Sequence, residues 1–174
     1  MFWLIVTLVI IVVGMIIEER SNTLKVGDIA PDFTASLQNG TAVSLHDFKG
    51  EQNVVLFFYP KDFTTGCTAE VCLFRDAYDE IRKLNAVIYG VSSDGSTSHK
   101  EFQKSFSLPF DLIADTSGSI GRQYGATRFG GMLKLSKRIT FVIDRKGVIQ
   151  LAVHHEFQIE NHMNDVIAAL KSLQ

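Results

Sequence analysis

The hydrophobic positions of the chain predict an alternation of strands and helices around one short loop. Residues 54–59 are apolar at every position, which is typical of a strand buried on both faces. A loop containing Pro60 and Gly66 follows. The apolar residues after it recur at spacings of three and four, which predicts an amphipathic helix ending near Asn85. The positions of that apolar face are Val71, Phe74, Tyr78 and Ile81.

Similar patterns predict the remaining elements of an α/β domain. Asn39-Gly40 between two alternating runs, 33–37 and 43–45, predicts a β-hairpin. The other predicted elements are a strand at 86–92, a helix with Ser96 or Thr97 as its N-cap that ends before Leu108, a strand at 111–114, a short helix at 118–124, a hairpin of strands 139–143 and 148–153, and a last helix with Met163, Val166, Ile167 and Leu170 on its apolar face. This order predicts a mixed sheet covered on both faces.

The first 17 residues, Met1–Ile17, have a different composition from the rest of the chain. Fifteen of them are apolar, the exceptions being Thr7 and Gly14, and none has a charged side chain. A helix of this length would span about 25 Å, near the lower limit for a bilayer core of roughly 30 Å. We therefore expect a hydrophobic N-terminal helix that acts as a single-pass membrane anchor. The alternative is a signal segment, with the protein exported after cleavage, although no basic region or small-x-small site is visible.

The predicted organisation has three parts: the anchor or signal at 1–17, a polar tether at 18–25 and a domain at 26–174. Basic and acidic residues nearly balance, 17 against 19, so the charge gives no indication of a nucleic-acid partner. Two cysteines are too few for a disulfide scaffold.

The loop after the first buried strand places Cys67 in the first turn of the predicted helix. Unpaired backbone N–H groups and the positive end of the helix dipole face a side chain at that position. Protein thiols ionise more readily there, and the thiolate is the nucleophilic form. The pattern therefore predicts a nucleophilic cysteine, with an inert buried thiol as the less favoured interpretation.

The residues around this cysteine resemble those of a peroxiredoxin. The resemblance rests on Phe58-Tyr59-Pro60, on Thr64-x-x-Cys67 followed by Glu70, and on the later strand Arg138-x-Thr140-Phe141-x-Ile143-Asp144. A second cysteine, Cys72, five residues after the first is similar to the bacterioferritin-comigratory (peroxiredoxin Q) subtype. The resemblance covers residues 26 to 173. It implies a thioredoxin-like three-layer sandwich that reduces hydroperoxides with electrons from thioredoxin or a similar dithiol protein.

The resemblance also implies a role for each matching residue. Cys67 would be the peroxidatic nucleophile and Cys72 the resolving thiol, which together form an intrachain disulfide. Thr64 would hold the peroxide through its hydroxyl, Arg138 would stabilise the thiolate and the transition state, and Pro60 would shield the pocket. One departure from the family is Thr65, where a proline is usual; the loss of a fixed φ there corresponds to about 1 kcal/mol or less.

These residues also have structural interpretations. Arg138 alone would be a solvated charge at a strand end, Thr64 a helix cap and Glu70 a residue favoured by the helix dipole. His154-His155 could suggest a metal site, but adjacent strand residues point to opposite faces, so we expect surface histidines. We expect no metal and no organic cofactor, because thiol chemistry needs neither.

Two other functions remain open at this stage. A thiol–disulfide oxidoreductase would favour Cys-x-x-Cys, whereas four residues separate Cys67 from Cys72. A non-catalytic module could hold the two cysteines as a static disulfide or a metal site.

For the peroxidase we expect a hydroperoxide substrate, a dithiol reductant, the membrane as a partner through residues 1–17, and a monomer.

Overall fold

A five-stranded mixed sheet forms the centre of the molecule. The computed structural model describes residues 5–6, 23–128, 135–154 and 159–174. The strands of the central sheet are β3 (Asn53–Phe58), β4 (Ala86–Ser92), β5 (Asp111–Ala114), β6 (Ile139–Ile143) and β7 (Ile149–His154), and a separate two-stranded sheet consists of β1 (Thr34–Ser36) and β2 (Ala42–Ser44). The central strand order is β5-β4-β3-β6-β7.

Strand β3 lies in the middle of the sheet, and each of its residues is buried. Strand β4 pairs with it in parallel and β6 pairs with it antiparallel, so that Phe58 lies opposite both Val91 and Ile139. Strand β5 extends the parallel side and β7 extends the antiparallel side. The end of β3, the end of β4 and the beginning of β6 therefore lie at one edge of the sheet.

Helices α1 (Thr65–Asp76), α2 (Tyr78–Lys83), α3 (Ser96–Phe106) and α5 (Ile159–Lys171) cover one face of the sheet, and α4 (Ser119–Gln123) lies on the other with the β1–β2 hairpin. Side chains of β3 alternate between these faces: Leu56 and Phe58 pack towards α4, while Val55 and Phe57 pack towards α1. The result is a three-layer, thioredoxin-like α/β arrangement, which confirms the predicted thioredoxin-like fold with a mixed sheet but not the N-terminal hydrophobic helix predicted before it.

The two predicted hairpins are confirmed. Strands β1 and β2 pair antiparallel around Asn39-Gly40, where the Asn39 side chain accepts a hydrogen bond from the Thr41 N–H (2.9 Å) and Gly40 has a φ of 87°. Strands β6 and β7 pair across the turn at 144–147. The last helix buries Val166 and Leu170, as its predicted apolar face requires.

Two helix boundaries differ from the predictions. The helix predicted to continue to Asn85 is interrupted at Ala77, whose φ and ψ of −89° and 0° end α1 before α2 begins. The N-cap of α3 is Gly95, one residue before the predicted Ser96 or Thr97. Its backbone begins the helix without a side-chain cap. Both differences arise from backbone conformation at residues that no hydrophobic pattern marks.

The predicted N-terminal helix lies almost entirely outside the described residues, since only Ile5 and Val6 of the first 22 are described. Within the described residues, no helix has both the length and the apolar character needed to cross a bilayer. The longest of these helices has 13 residues and would span about 20 Å, against roughly 30 Å of hydrocarbon. The prediction of a membrane location through a single-pass anchor is therefore wrong. The boundaries at residues 17 and 25 stay a prediction.

Candidate active site

Cys67 lies in the first turn of α1, directly after the loop that leaves β3. Thr64 is the N-cap, so Cys67 is the third residue of the helix, and its side chain is fully buried. Val71 and Phe74 on the same helix face anchor α1 in the core formed with Phe57 and Tyr59. Burial of the amphipathic face thus fixes the sulfur at the edge of the sheet where β3 ends.

Arg138 comes directly before β6 and reaches Cys67 from the neighbouring strand. Its Nη2 lies 3.4 Å from the Cys67 Sγ and its Nη1 donates to the Glu70 carboxylate. An added Cβ at Gly66 would lie 3.0 Å from this Nη2, so the glycine leaves the space that the guanidinium occupies. The structure therefore brings together a thiol, a guanidinium and a carboxylate that are distant in the sequence.

The guanidinium of Arg138 keeps its charge although it is buried. Burial by itself opposes the charge, but Glu70 and the Cys67 sulfur more than offset that effect, and the pKa of Arg138 lies above its ordinary value. A permanent positive charge next to sulfur stabilises a thiolate over a thiol. Glu70 holds that charge in place, because its ion pair fixes one half of the guanidinium fork.

The loop from Pro60 to Thr64 joins β3 to α1 and leads directly into the turn that holds Cys67, and Pro60 within it is half-buried. Thr64 is exposed, and its hydroxyl donates to the Lys61 carbonyl oxygen (3.1 Å), so it retains only acceptor capacity while that bond is made. Phe63 has a left-handed backbone, with a φ of 59°, and its half-exposed ring packs on Phe102 at a centroid distance of 5.0 Å.

Cys72 lies on α1 with Cys67 but on another side of the helix. Both cysteines are free thiols, Cys67 buried and Cys72 half-buried. Five residues along an ideal helix correspond to a turn of about 140° and a Cα separation of roughly 8.6 Å. The structure therefore does not bring the two sulfurs together in the reduced protein.

Glu70 is the site residue whose role the sequence interpretation missed. It was assigned only a favourable effect on the helix dipole, whereas it is buried and paired with Arg138. The signal was its place on the apolar face of α1 with Cys67, Val71 and Phe74. A carboxylate on such a face requires a buried cationic or hydrogen-bonding partner.

A cavity of about 330 Å³ lies elsewhere, at the opposite edge of the sheet. Val54 at the beginning of β3 and Ile143 at the end of β6 line it, and no residue of the cysteine site does. We assign the chemistry to the Cys67 site, because it holds a buried thiol in contact with a guanidinium, whereas no cysteine lines the cavity.

Comparison with known proteins decides the family of this chain. The family described as AhpC/TSA matches residues 26–152, which include the loop, both cysteines and Arg138. The chain belongs to the AhpC/TSA family.

Among curated relatives of this AhpC/TSA chain, a chloroplastic peroxiredoxin Q of Oryza sativa subsp. japonica is 43% identical over 149 residues, which are 84% of this chain and 67% of the relative. A putative peroxiredoxin bcp of Coxiella burnetii is 40% identical over 152 residues, 85% of this chain and 99% of that protein.

Solved structures show the same fold. The crystal structure of peroxidoxin BcpB from Mycobacterium tuberculosis superimposes with a TM-score of 0.81 at 33% identity, covering 87% of this chain and 99% of that one. A structure of Xanthomonas campestris peroxiredoxin Q has a TM-score of 0.73 at 30% identity and covers 80% of this chain and 90% of that one. These relatives confirm the resemblance to the peroxiredoxin Q subtype.

Proposed function

We propose that this protein is a thiol-dependent peroxidase that reduces hydroperoxides at Cys67 and is recycled by thioredoxin or a similar dithiol protein. Membership of the AhpC/TSA family and the peroxiredoxin Q relatives support the enzyme class. The single observation that carries the assignment to residues is the contact between Arg138 Nη2 and the buried Cys67 Sγ.

The first step is nucleophilic attack by the Cys67 thiolate on one oxygen of the peroxide. The O–O bond breaks, an S–O bond forms, and the departing oxygen leaves as hydroxide or alkoxide that takes up a proton. Arg138 stabilises the charge before and during this step, since a guanidinium stays protonated at any working pH. Thr64 and Pro60 orient and enclose the small substrate, and Cys67 becomes a sulfenic acid.

The second step resolves the sulfenic acid. The Cys72 thiolate attacks the Cys67 sulfur, the S–O bond breaks, the hydroxide that leaves takes up a proton from solvent to become water, and a Cys67–Cys72 disulfide forms. An external dithiol then donates two electrons to restore both thiols. Thr65, in place of the family's usual proline, is the exposed first residue of α1, so its effect falls on the start of the helix and not on these groups. We propose no membrane role, and a monomer stays a prediction.

Burial of Cys67 counts against the oxidoreductase alternative. Cys67 has no exposed surface, so the disulfide of another protein cannot reach its sulfur while the first turn of α1 is formed. A hydroperoxide is much smaller and needs a much smaller opening. The described chain also has free thiols where a static module would have a disulfide.

Thiol titration of two serine variants tests the assignment. The wild type should lose both of its thiols for each peroxide consumed, since the chain has only two cysteines. Cys72→Ser should lose its one thiol and then stop, unless a small thiol is supplied. Cys67→Ser should lose none. Sustained peroxide turnover by Cys67→Ser would show that the roles assigned to Cys67 and Cys72 are wrong. If the wild type lost its thiols only as slowly as the amino acid cysteine in solution, the peroxidase function would be refuted.

A further inference from the structure

Asp62, in the loop between β3 and α1, is buried although it carries no part of the chemistry described above. Its side chain is about 1% exposed. The Tyr59 hydroxyl donates to Oδ1 and the Ser98 hydroxyl donates to Oδ2, both at 2.7 Å, and the His99 Nδ1 lies 2.9 Å from Oδ2. A carboxylate with this many donors is held in one position.

His99, on α3, must donate from both ring nitrogens. Its Nδ1 faces the Asp62 carboxylate, and its Nε2 lies 3.2 Å from the carbonyl oxygen of Ile113. Neither group can donate a hydrogen bond, so only the protonated imidazolium satisfies both contacts. Asp62 and His99 therefore form a buried ion pair with fixed geometry.

The electrostatics of Asp62 agree with this arrangement. Burial alone would raise the pKa of the carboxyl, but the hydrogen bond and charge of His99, together with the Ser98 and Tyr59 hydroxyls, hold it below its ordinary value. Removing one partner from such a pair leaves the other buried and uncompensated, which is strongly unfavourable.

The pair ties the cysteine loop to the sheet and to α3. Tyr59 directly follows the central strand β3, and its hydroxyl donates to the Asp62 carboxylate. The Asp62 N–H donates to the Asp94 side chain (2.9 Å). Only Phe63 separates Asp62 from the N-cap Thr64, whose carbonyl accepts the Thr68 N–H (2.9 Å) in the first turn of α1.

We propose that the Asp62–His99 pair is a positioning device for the peroxidatic site. It holds the loop so that the first turn of α1 stays formed and Cys67 stays against Arg138. Asp62 and His99 do not touch the substrate; they act through the backbone from Asp62 to Cys67. This role rests on the proposed peroxidase function.

Single-turnover oxidation of Cys67 by hydrogen peroxide, combined with amide hydrogen exchange, tests the role. Asp62→Asn and His99→Gln should each lower the second-order rate constant at least tenfold. The double variant should be no slower than the slower single variant, because the two residues act as one unit. Exchange at residues 68–71, whose N–H groups bond to the carbonyl oxygens of the first turn, should accelerate in these variants while β3 and β4 keep their protection.

Asp115→Asn is the matched control. Asp115 is also a buried carboxylate near this edge of the sheet, and it accepts the Gly121 N–H at 2.8 Å, but it makes no bond to the cysteine loop. Its rate constant should equal that of the wild type. Equal slowing in Asp115→Asn, or a wild-type rate in Asp62→Asn, would overturn the positioning role.

Milder variants keep the test decisive if Asp62→Asn does not fold. Ser98→Ala and Tyr59→Phe each remove one hydrogen bond to Asp62 without removing a charge, and each should lower the rate constant two- to fivefold. Unchanged rates in both would refute the proposal. Failure of the wild type to react would instead refute the peroxidase function, so the two failures are distinguishable.

Discussion

At the scale of single residues, the guanidinium of Arg138 contacts both the Cys67 sulfur and the carboxylate that holds the guanidinium in place. Arg138 contacts the nucleophile through one nitrogen and Glu70 through another. A planar fork can do both at once, whereas the compact ammonium of a lysine cannot match that geometry. The positive charge at Cys67 therefore depends on the shape of the arginine as well as on its charge.

Arg138→Lys should reduce the second-order rate constant of Cys67 with peroxide by roughly 10²-fold, the usual effect of losing one donor to a developing charge. Glu70→Gln should have a smaller effect in the same direction, because the arginine keeps its charge but loses its anchor. Stopped-flow oxidation of the reduced protein measures both. Arg145→Lys, at an exposed position, is the control and should match the wild type. Full activity in Arg138→Lys would show that any cation is sufficient.

At the scale of elements, the proposed disulfide between Cys67 and Cys72 requires α1 to change. Both cysteines lie on this regular helix of 12 residues, roughly 8.6 Å apart between Cα atoms, whereas a disulfide requires about 4.4–6.8 Å. The first turn has few intrahelical bonds to lose, and the Thr64 side chain bonds to Lys61 and does not cap it. The first turn is therefore the cheapest part of α1 to unwind.

Amide exchange should show this unwinding directly. Residues 68–76, whose N–H groups bond within α1, should be protected in the reduced protein and exchange faster in the disulfide form, while the β3–β4 pair stays protected in both. Peroxide-treated Cys72→Ser, which forms a sulfenic acid but no intrachain disulfide, is the control and should keep its protection. Equal protection in both forms of the wild type would point to a resolving thiol on a second protein.

At the scale of the whole molecule, the sequence predicts the sheet better than the site. Strands β3 and β6 are fully buried, and a run of apolar residues indicates such strands directly. Cys67 was recognisable from its place at a helix start. The Glu70–Arg138 and Asp62–His99 pairs join residues 68 and 37 positions apart, and local periodicity carries no information about such contacts. The break at Ala77 has no proline or glycine to mark it.

Close packing at the centre of the sheet gives a prediction about stability. An added Cβ at Gly90 would lie 2.6 Å from Phe57 and 2.8 Å from Leu112, both fully buried. Gly90→Ala should therefore lower the free energy of unfolding by about 1–3 kcal/mol. Urea denaturation measures the change, with Gly95→Ser as the control, because nothing lies within 4 Å of its added Cβ and serine is a favoured residue at this N-cap position. Equal stability of both variants would show that the sheet can expand at Gly90.

The left-handed backbone of Phe63 has a consequence for the redox equilibrium of the two cysteines. A bulky residue at a φ of 59° raises the free energy of the closed, dithiol form by about 1 kcal/mol. Once the first turn of α1 unwinds, Phe63 is no longer held there and can adopt a negative φ, so the disulfide form does not carry this strain. For a two-electron couple, about 1 kcal/mol shifts the reduction potential by roughly 20 mV. Because the strain belongs to the dithiol form, the shift is towards a more negative potential.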